Sequence, residues 1–236
     1  MTAGLRVQRP HDGVVVLRLN RPAERNALDT ATLSELHEAI GALGENRDVR
    51  VVVVTGAGPT FCAGADLQEF AGDSPPDPAD TLARVRLVVR VINGLLELEA
   101  VTISAVHGAA IGAGWGLALG CDLCWAAADT KFALPEVAKG LRLPRVINDR
   151  LIQIVGPIRA AEIVLSGNSY GVDELVHMGA ISRQFADAAA LEAEALAFAA
   201  QLTQRPRTSL RVATDPLRLA AARGATPEID YQWPER

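Results

Sequence analysis

One pattern constrains this chain more than any other, and it occurs twice: a β-branched run, a bend of small residues, then a helical stretch. Val51 to Thr55 runs into Gly56, Gly58 and Pro59 and then Phe61-Cys62-Ala63-Gly64-Ala65-Asp66-Leu67. Val101 to Val106 runs into Gly108-Ala109-Ala110-Ile111-Gly112-Ala113-Gly114-Trp115-Gly116. Continuous apolar runs of this kind suit strands covered on both faces, as in parallel sheets. Glycine lets the backbone approach a ligand closely, and the first N–H groups of a helix have no intrahelical partner. Two such bends side by side would aim two N–H groups at one oxygen, which is an oxyanion hole. Two other readings of the glycines stand beside it. Close helix–strand packing is one. A nucleotide-phosphate loop is the other, but the second bend reads G-x-G-x-G, lies mid-chain, and no G-x-x-x-x-G-K-[ST] accompanies it.

The rest of the chain punctuates an α/β pattern. Val14 to Leu19 reads as a strand between Asp12-Gly13 and Asn20-Arg21-Pro22. A helix is predicted from about Thr30, capped by Asp29, with Leu33, Leu36, Ile40 and Leu43 at helical spacing. Residues 72–79 read as a Pro-rich loop, and 81–98 as an apolar helix. A short helix is expected from Ala113 to Gly120, then a strand from Asp122 to Ala127. Residues 144–166 are predicted helical with a break at Gly156-Pro157, followed by a helix over 172–178, a strand over 181–184 and a helix over 191–202. The division expected is a core over 1–185 and a helical C-terminal region over 186–236.

Composition excludes several function classes. A length of 236 residues buries a sizeable core without disulfide or metal staples. A net charge of −5 argues against a phosphate-backbone binder, and 4% aromatic residues leave little for stacking on bases. Nucleic acid is therefore not an expected partner. The 3 cysteines make no disulfide framework. Cys121 and Cys124 form a lone C-x-x-C, read as two small buried side chains because no second ligand pair completes a zinc site. No cluster has metal-ligand spacing. The start, Met-Thr-Ala-Gly-Leu-Arg, has no apolar signal region, and the apolar stretches are too short or broken to span a bilayer. The compartment expected is the cytoplasm, with no membrane partner.

Four segments together resemble one family. Val51 to Gly58 with Phe61 to Leu67 is similar to the first signature of the enoyl-CoA hydratase/isomerase (crotonase) superfamily. Ser104-Ala105-Val106-His107-Gly108 to Cys121-Asp122 is similar to the second, and Lys131-Phe132-Ala133-Leu134-Pro135-Glu136-Val137 to the third. Arg21-Pro22 to Asn26-Ala27-Leu28 matches the segment that precedes them, and the similarity extends over roughly residues 10–205. The resemblance implies a spiral of ββα units with a C-terminal helical region. It implies an acyl-CoA thioester as substrate, CoA arriving as part of that substrate, and no permanently bound cofactor. By position the oxyanion amides belong to Ala65 and Ala113. Ala63, Gly64, Asp66 and Leu67, with Gly112 and Gly114, would line the CoA and thioester site, and Arg25 matches a cation near the CoA phosphates. Trimers, often paired into hexamers, are the family's habit.

The carboxylates decide which reaction the resemblance implies. Family hydratases use two glutamates. The second-signature glutamate falls here at Gly116, while the third-signature glutamate is present as Glu136. One carboxylate suffices for a proton shuttle, so an isomerase is favoured over a hydratase. A hydratase recruiting Asp149 as substitute acid, and a non-catalytic partner subunit of the same fold, are the alternatives. Three departures bear on the choice: Gly140 to Val146 differs from the usual stretch, Gln68 stands where hydratases often have lysine, and residues after 205 match nothing expected. His107, beside the second bend, is read as a packing residue in preference to a base.

Overall fold

Four valines in succession cannot all face one side of a strand, because successive side chains alternate. The run at 51–54 therefore demands apolar cover on both faces. The computed structural model describes residues 4–70 and 77–222. In it, Val52 and Val54 pack in one cluster with Leu36, Ile92 and Leu117, while Val51 and Val53 pack in a second with Trp125, Leu191 and Ala195.

The sheet between these clusters has six strands. In spatial order they are β1 (Leu5–His11), β2 (Val14–Leu19), β3 (Val51–Gly56), β4 (Val101–Val106), β6 (Leu123–Ala127) and β9 (Arg183–Phe185). Only β1 runs antiparallel to its neighbour. A smaller sheet is built from β5 (Ala109–Ile111), β7 (Lys131–Ala133) and β8 (Ser169–Gly171) in that order. The first cluster is closed by α1 (Thr30–Glu45), α2 (Pro78–Glu97), α3 (Ala113–Leu119) and α4 (Arg145–Val155). Helices α5 (Pro157–Ser166) and α6 (Val172–Met178) follow it. The second cluster is closed by α7 (Ala188–Thr203), and α8 (Arg207–Ala222) comes last.

Local signals account for most helix ends. Thr32 N–H donates to Asp29 Oδ1 at 2.7 Å at the start of α1, Ala79 N–H to Asp77 Oδ1 at 2.8 Å in α2, and Ala190 N–H to Asp187 Oδ1 at 2.8 Å in α7. At the other end of α7 the Arg50 guanidinium donates to Thr203 O at 2.8 Å and to Arg205 O. A cation on the last carbonyls of a helix is favourable. It ties the start of β3 to a helix some 150 residues later in sequence.

The structure departs from expectation at identifiable places. Strand β1 reads poorly in sequence because six of its seven residues are exposed and Pro10 interrupts it. Strands β5, β7 and β8 have three residues each, too short for a period to register. The Pro-rich loop expected over 72–79 lies mostly outside the described residues, and Pro78 already belongs to the first turn of α2. The strand expected at 181–184 is β9, shifted to Arg183–Phe185. Helix α7 is integral to the core through Leu191, Ala195 and Ala199, while α8 lies within the region expected to be helical.

Asn26 locks the approach to the first bend. It adopts φ of 55°, in the left-handed region that asparagine tolerates better than most residues. Buried at 1% exposure, its Nδ2 donates to Ala57 O at 2.8 Å and Thr60 O at 2.6 Å, while Oδ1 accepts from Arg21 N–H at 2.9 Å. Replacing Asn26 by Ala strands these groups and strains the backbone. The expected loss is about 2–4 kcal/mol in urea unfolding, from unsatisfied buried groups at about 1–3 kcal/mol each. A loss under about 0.5 kcal/mol would contradict this account.

Candidate active site

The two bends meet through backbone. Cys62 pairs with Ala110 in a bridge: Cys62 N–H donates to Ala109 O at 3.0 Å, and Ile111 N–H donates to Cys62 O at 3.0 Å. Gly64 then turns with φ of 91°. A Cβ there would lie 2.6 Å from Ile111 O and 3.7 Å from Ala113 N, so only glycine permits this approach. Gly114 is held as tightly, since a Cβ would come within 2.8 Å of Cys62 Cβ. The Cys62 thiol accepts a bond from Gly64 N–H at 3.4 Å, and full burial pushes its pKa up to about 12, which keeps it protonated. It acts as a packing pin between the bends.

Each bend leaves one amide free of the ladders. Leu28 N–H donates to Gly64 O at 2.8 Å, and Asp66 N–H donates to Leu28 O at 3.0 Å. The amide of Ala65, between them, points the other way because strand amides alternate. Ala65 is exposed. Ala113 is the first residue of α3, so its N–H has no acceptor within the helix.

The small sheet delivers the carboxylate. In the β5–β7 pairing, Ile111 is opposite Ala133, and Gly112 N–H donates to Ala133 O at 2.8 Å. The chains then diverge over one residue on one side and three on the other. Gly112, with φ of 54° and ψ of −121°, would place a Cβ 3.3 Å from Glu136 Cδ and 3.8 Å from Oε2. Glu136 therefore rests directly on the residue that precedes Ala113. Its Oε2 is buried without a hydrogen-bond partner. Burial raises the pKa of Glu136, with its own backbone hydrogen bond and Lys139 pulling the other way.

The helix face next to Glu136 is apolar. Gly116 lies one turn beyond Gly112, its N–H donating to Gly112 O at 2.9 Å. A Cβ at Gly116 would lie 2.8 Å from Ile147 Cγ1 and 3.1 Å from Ile92 Cδ1, and both isoleucines are buried.

The other residues singled out in the sequence fall as follows. Ala63 N–H donates to Arg25 O at 3.0 Å, which sets the exposed Arg25 side chain beside the first bend. The Asp66 carboxylate is occupied by Arg21 at 2.9 Å and by Gln68 N–H at 3.0 Å, so its side chain braces the bend. Leu67 is exposed at its end. His107 is buried and uncharged: burial first, and Arg18 further, lower its pKa, and its Nε2 lies 3.0 Å from Gly58 O. Asp149 pairs with Arg145 at 3.5 Å. Cys121 and Cys124 line a crevice with Asp122 and Arg150, both thiols pushed upward by burial, Cys124 to about 11. Among the described residues no group of three His, Cys, Asp or Glu side chains could hold a metal ion, and no helix is long and apolar enough to cross a membrane. Asn26 and Ile147 are the residues that sequence reasoning undervalued. Asn26 had a weak signal in its Arg-Asn turn, whereas Ile147 reads as any buried position of an amphipathic helix.

A family model described as enoyl-CoA hydratase/isomerase matches residues 9–231. The chain belongs to this family. The match passes well beyond residue 205, so the C-terminal sequence that resembled nothing expected is family sequence after all. A 2,3-dehydroadipyl-CoA hydratase of Escherichia coli (strain K12) is 37% identical over 207 residues, 87% of this chain and 78% of that protein. A mitochondrial Delta(3,5)-Delta(2,4)-dienoyl-CoA isomerase of Homo sapiens is 32% identical over 217 residues, 85% of this chain and 64% of that protein. The crystal structure of an enoyl-CoA hydratase from Bacillus anthracis superposes with a TM-score of 0.86 at 28% identity, covering 91% of this chain and 82% of that one. The crotonase fold is thus established for this member of the enoyl-CoA hydratase/isomerase family, and relatives named for both reactions match it.

Glu136 makes a prediction about stability. Its folded pKa lies above the unfolded 4.5, so the folded chain binds the proton more tightly. The stabilisation this gives is complete below 4.5 and is lost as pH rises through the folded value. At neutral pH the ionised Glu136 is a cost. Glu136→Gln is expected to melt higher than wild type at a pH of about 8, with the gap closing near a pH of about 4. Calorimetric melts across that range check it, and a lower melting temperature for the variant at high pH would contradict it.

Proposed function

We propose that the chain is an acyl-CoA isomerase: it holds a thioester enolate between the amides of Ala65 and Ala113 and moves one proton with Glu136. The observation that carries this reading is a single desolvated carboxylate resting on Gly112, beside the free amide of Ala113, with isoleucines where a second acid would have to stand.

The steps follow from that arrangement. Glu136, ionised, takes a proton from C2 of a 3-enoyl thioester. The electron pair moves onto the thioester oxygen, where two amide donors stabilise the charge. The double bond shifts to C2–C3 as Glu136 returns the proton at C4. Burial supports both halves of the cycle, since a raised pKa strengthens the base and brings it toward neutrality, where general acid–base catalysis works best. Arg25, with the backbone of Ala63, Gly64, Asp66 and Leu67, would receive the CoA moiety, and Gly112 and Gly114 the thioester. The shuttle uses no dissociable cofactor; CoA is part of the substrate. A homotrimer or hexamer goes with this reading and is measurable by light scattering.

A hydratase is the second reading, favoured by the name of the E. coli relative. It needs a second acid near Glu136. Asp149, the candidate, is paired with Arg145 and lies about 200° around α4 from Ile147.

A 3-enoyl-CoA assay tests the proposal. Glu136→Ala is expected to lower kcat by about 10²–10⁴-fold, the usual contribution of a positioned acid–base group. Equal turnover by wild type and Glu136→Ala would sink the mechanism. Titration calorimetry with an acyl-CoA separates any enzyme from a pure scaffold, for which no heat of binding is expected.

A further inference from the structure

We propose that Ile147 is a specificity-determining residue, which seals the face of α3 beside Glu136 so that water is not offered to the reacting carbons. The inference rests on the isomerase reading of Glu136 and extends it to a residue on another helix.

The geometry is a matter of one helical turn. Gly112 caps α3 and Gly116 lies one turn into it, as the bond from Gly116 N–H to Gly112 O at 2.9 Å fixes. The space over Gly112 holds the Glu136 carboxyl, and the space over Gly116 holds the Ile147 side chain with Ile92 behind it. One turn beyond the carboxyl, the space over α3 is therefore filled by hydrocarbon.

Ile147 is well fixed in that position. It is 0% exposed. Three residues further along α4, the Arg150 guanidinium donates to Leu119 O at 2.9 Å and Cys121 O at 3.3 Å, at the C-terminal end of α3. Helix α4 thus grips α3 at its middle and at its end, and Ile147 cannot swing away without breaking that grip.

The chemical consequence concerns water. An ordered water needs two to four polar partners. Beside Glu136, whose Oε2 already lacks one, the α3 face offers methyl groups. A nucleophilic water there would have Glu136 and little else to orient it. Proton transfer within the substrate needs no such water. The wall also excludes a polar side chain at position 116: any substituent there collides with Ile147 unless Ile147 is shortened.

Three full-length variants test the wall: Gly116→Glu, Ile147→Ala and the double variant. Each is assayed for melting temperature, for isomerisation of a 3-enoyl-CoA and for hydration of a 2-enoyl-CoA. Gly116→Glu alone is expected to melt well below wild type because the pocket is full. The double variant should regain at least half of that loss, and its ratio of hydration to isomerisation should rise by at least about 100-fold, the lower end of the range for one positioned acid–base group. Ile147→Ala alone makes room without adding a polar partner for water, so its ratio should stay near that of wild type. A Gly116→Glu chain as stable as wild type overturns the proposal, and so does an unchanged ratio in the double variant. The two levels separate cleanly. Wild type that fails to isomerise while the double variant hydrates defeats the isomerase reading and keeps the wall. Wild type that isomerises while no variant shifts the ratio does the reverse.

Discussion

The contact on which the site depends is a pair of short strands. Strands β5 and β7 meet over three residues, and their register alone decides what stands over Gly112. With Ile111 opposite Ala133, the chain leaving β7 brings Glu136 back against the residue before Ala113. A slip of one residue would turn every side chain to the opposite face and carry the carboxyl away from the α3 amide. The bridge from Cys62 to Ala110 fastens the first bend to the same small sheet. One patch of backbone therefore positions an acid and both small-residue bends, and no side chain in it needs to be large.

That economy explains where glycine is required. Gly64 and Gly112 are needed for conformations and approaches that a Cβ forbids. Gly114 and Gly116 serve packing, against Cys62 and Ile147 respectively. Glycines required for backbone conformation thus lie before α3 and in the first bend, and those required for packing lie within α3. Close helix contact, one of the two readings of a glycine-rich bend, holds for Gly114 and Gly116.

How far the sequence discloses this depends on the length of the signal. The valine run at 51–54 and the helical spacing from Leu33 to Leu43 are long enough for periodicity to speak, and β3 and α1 fall where expected. The Asp29 cap is read correctly for the same reason, since its chemistry is local. Strands β5, β7 and β8 are invisible to such reasoning, because three residues carry no period and their stability comes from pairing. Glu136 is legible only by resemblance; nothing in Leu-Pro-Glu-Val announces a partner at Gly112. Asp66 illustrates the opposite case, a carboxylate in a functional loop whose side chain is already engaged by Arg21. Ile147 leaves no trace at all, as its role arises from a contact between helices some thirty residues apart.

Helix α7 has a consequence for biosynthesis. The sheet face bearing Val14, Val16, Val51 and Val53 is covered by α7 through Leu191, Ala195 and Ala199, with Leu196, Phe198 and Leu202 packed against them. Chain emerging from a ribosome presents those valines roughly 140 residues before their cover is made. Parallel strands with exposed hydrophobic surface are slow to complete and prone to aggregate. That face stays uncovered until α7 is made and the Arg50 guanidinium can hold its end. A truncation that removed α7 would leave a polypeptide in that unfinished condition permanently, with its glycine bends intact and nothing to keep it in solution.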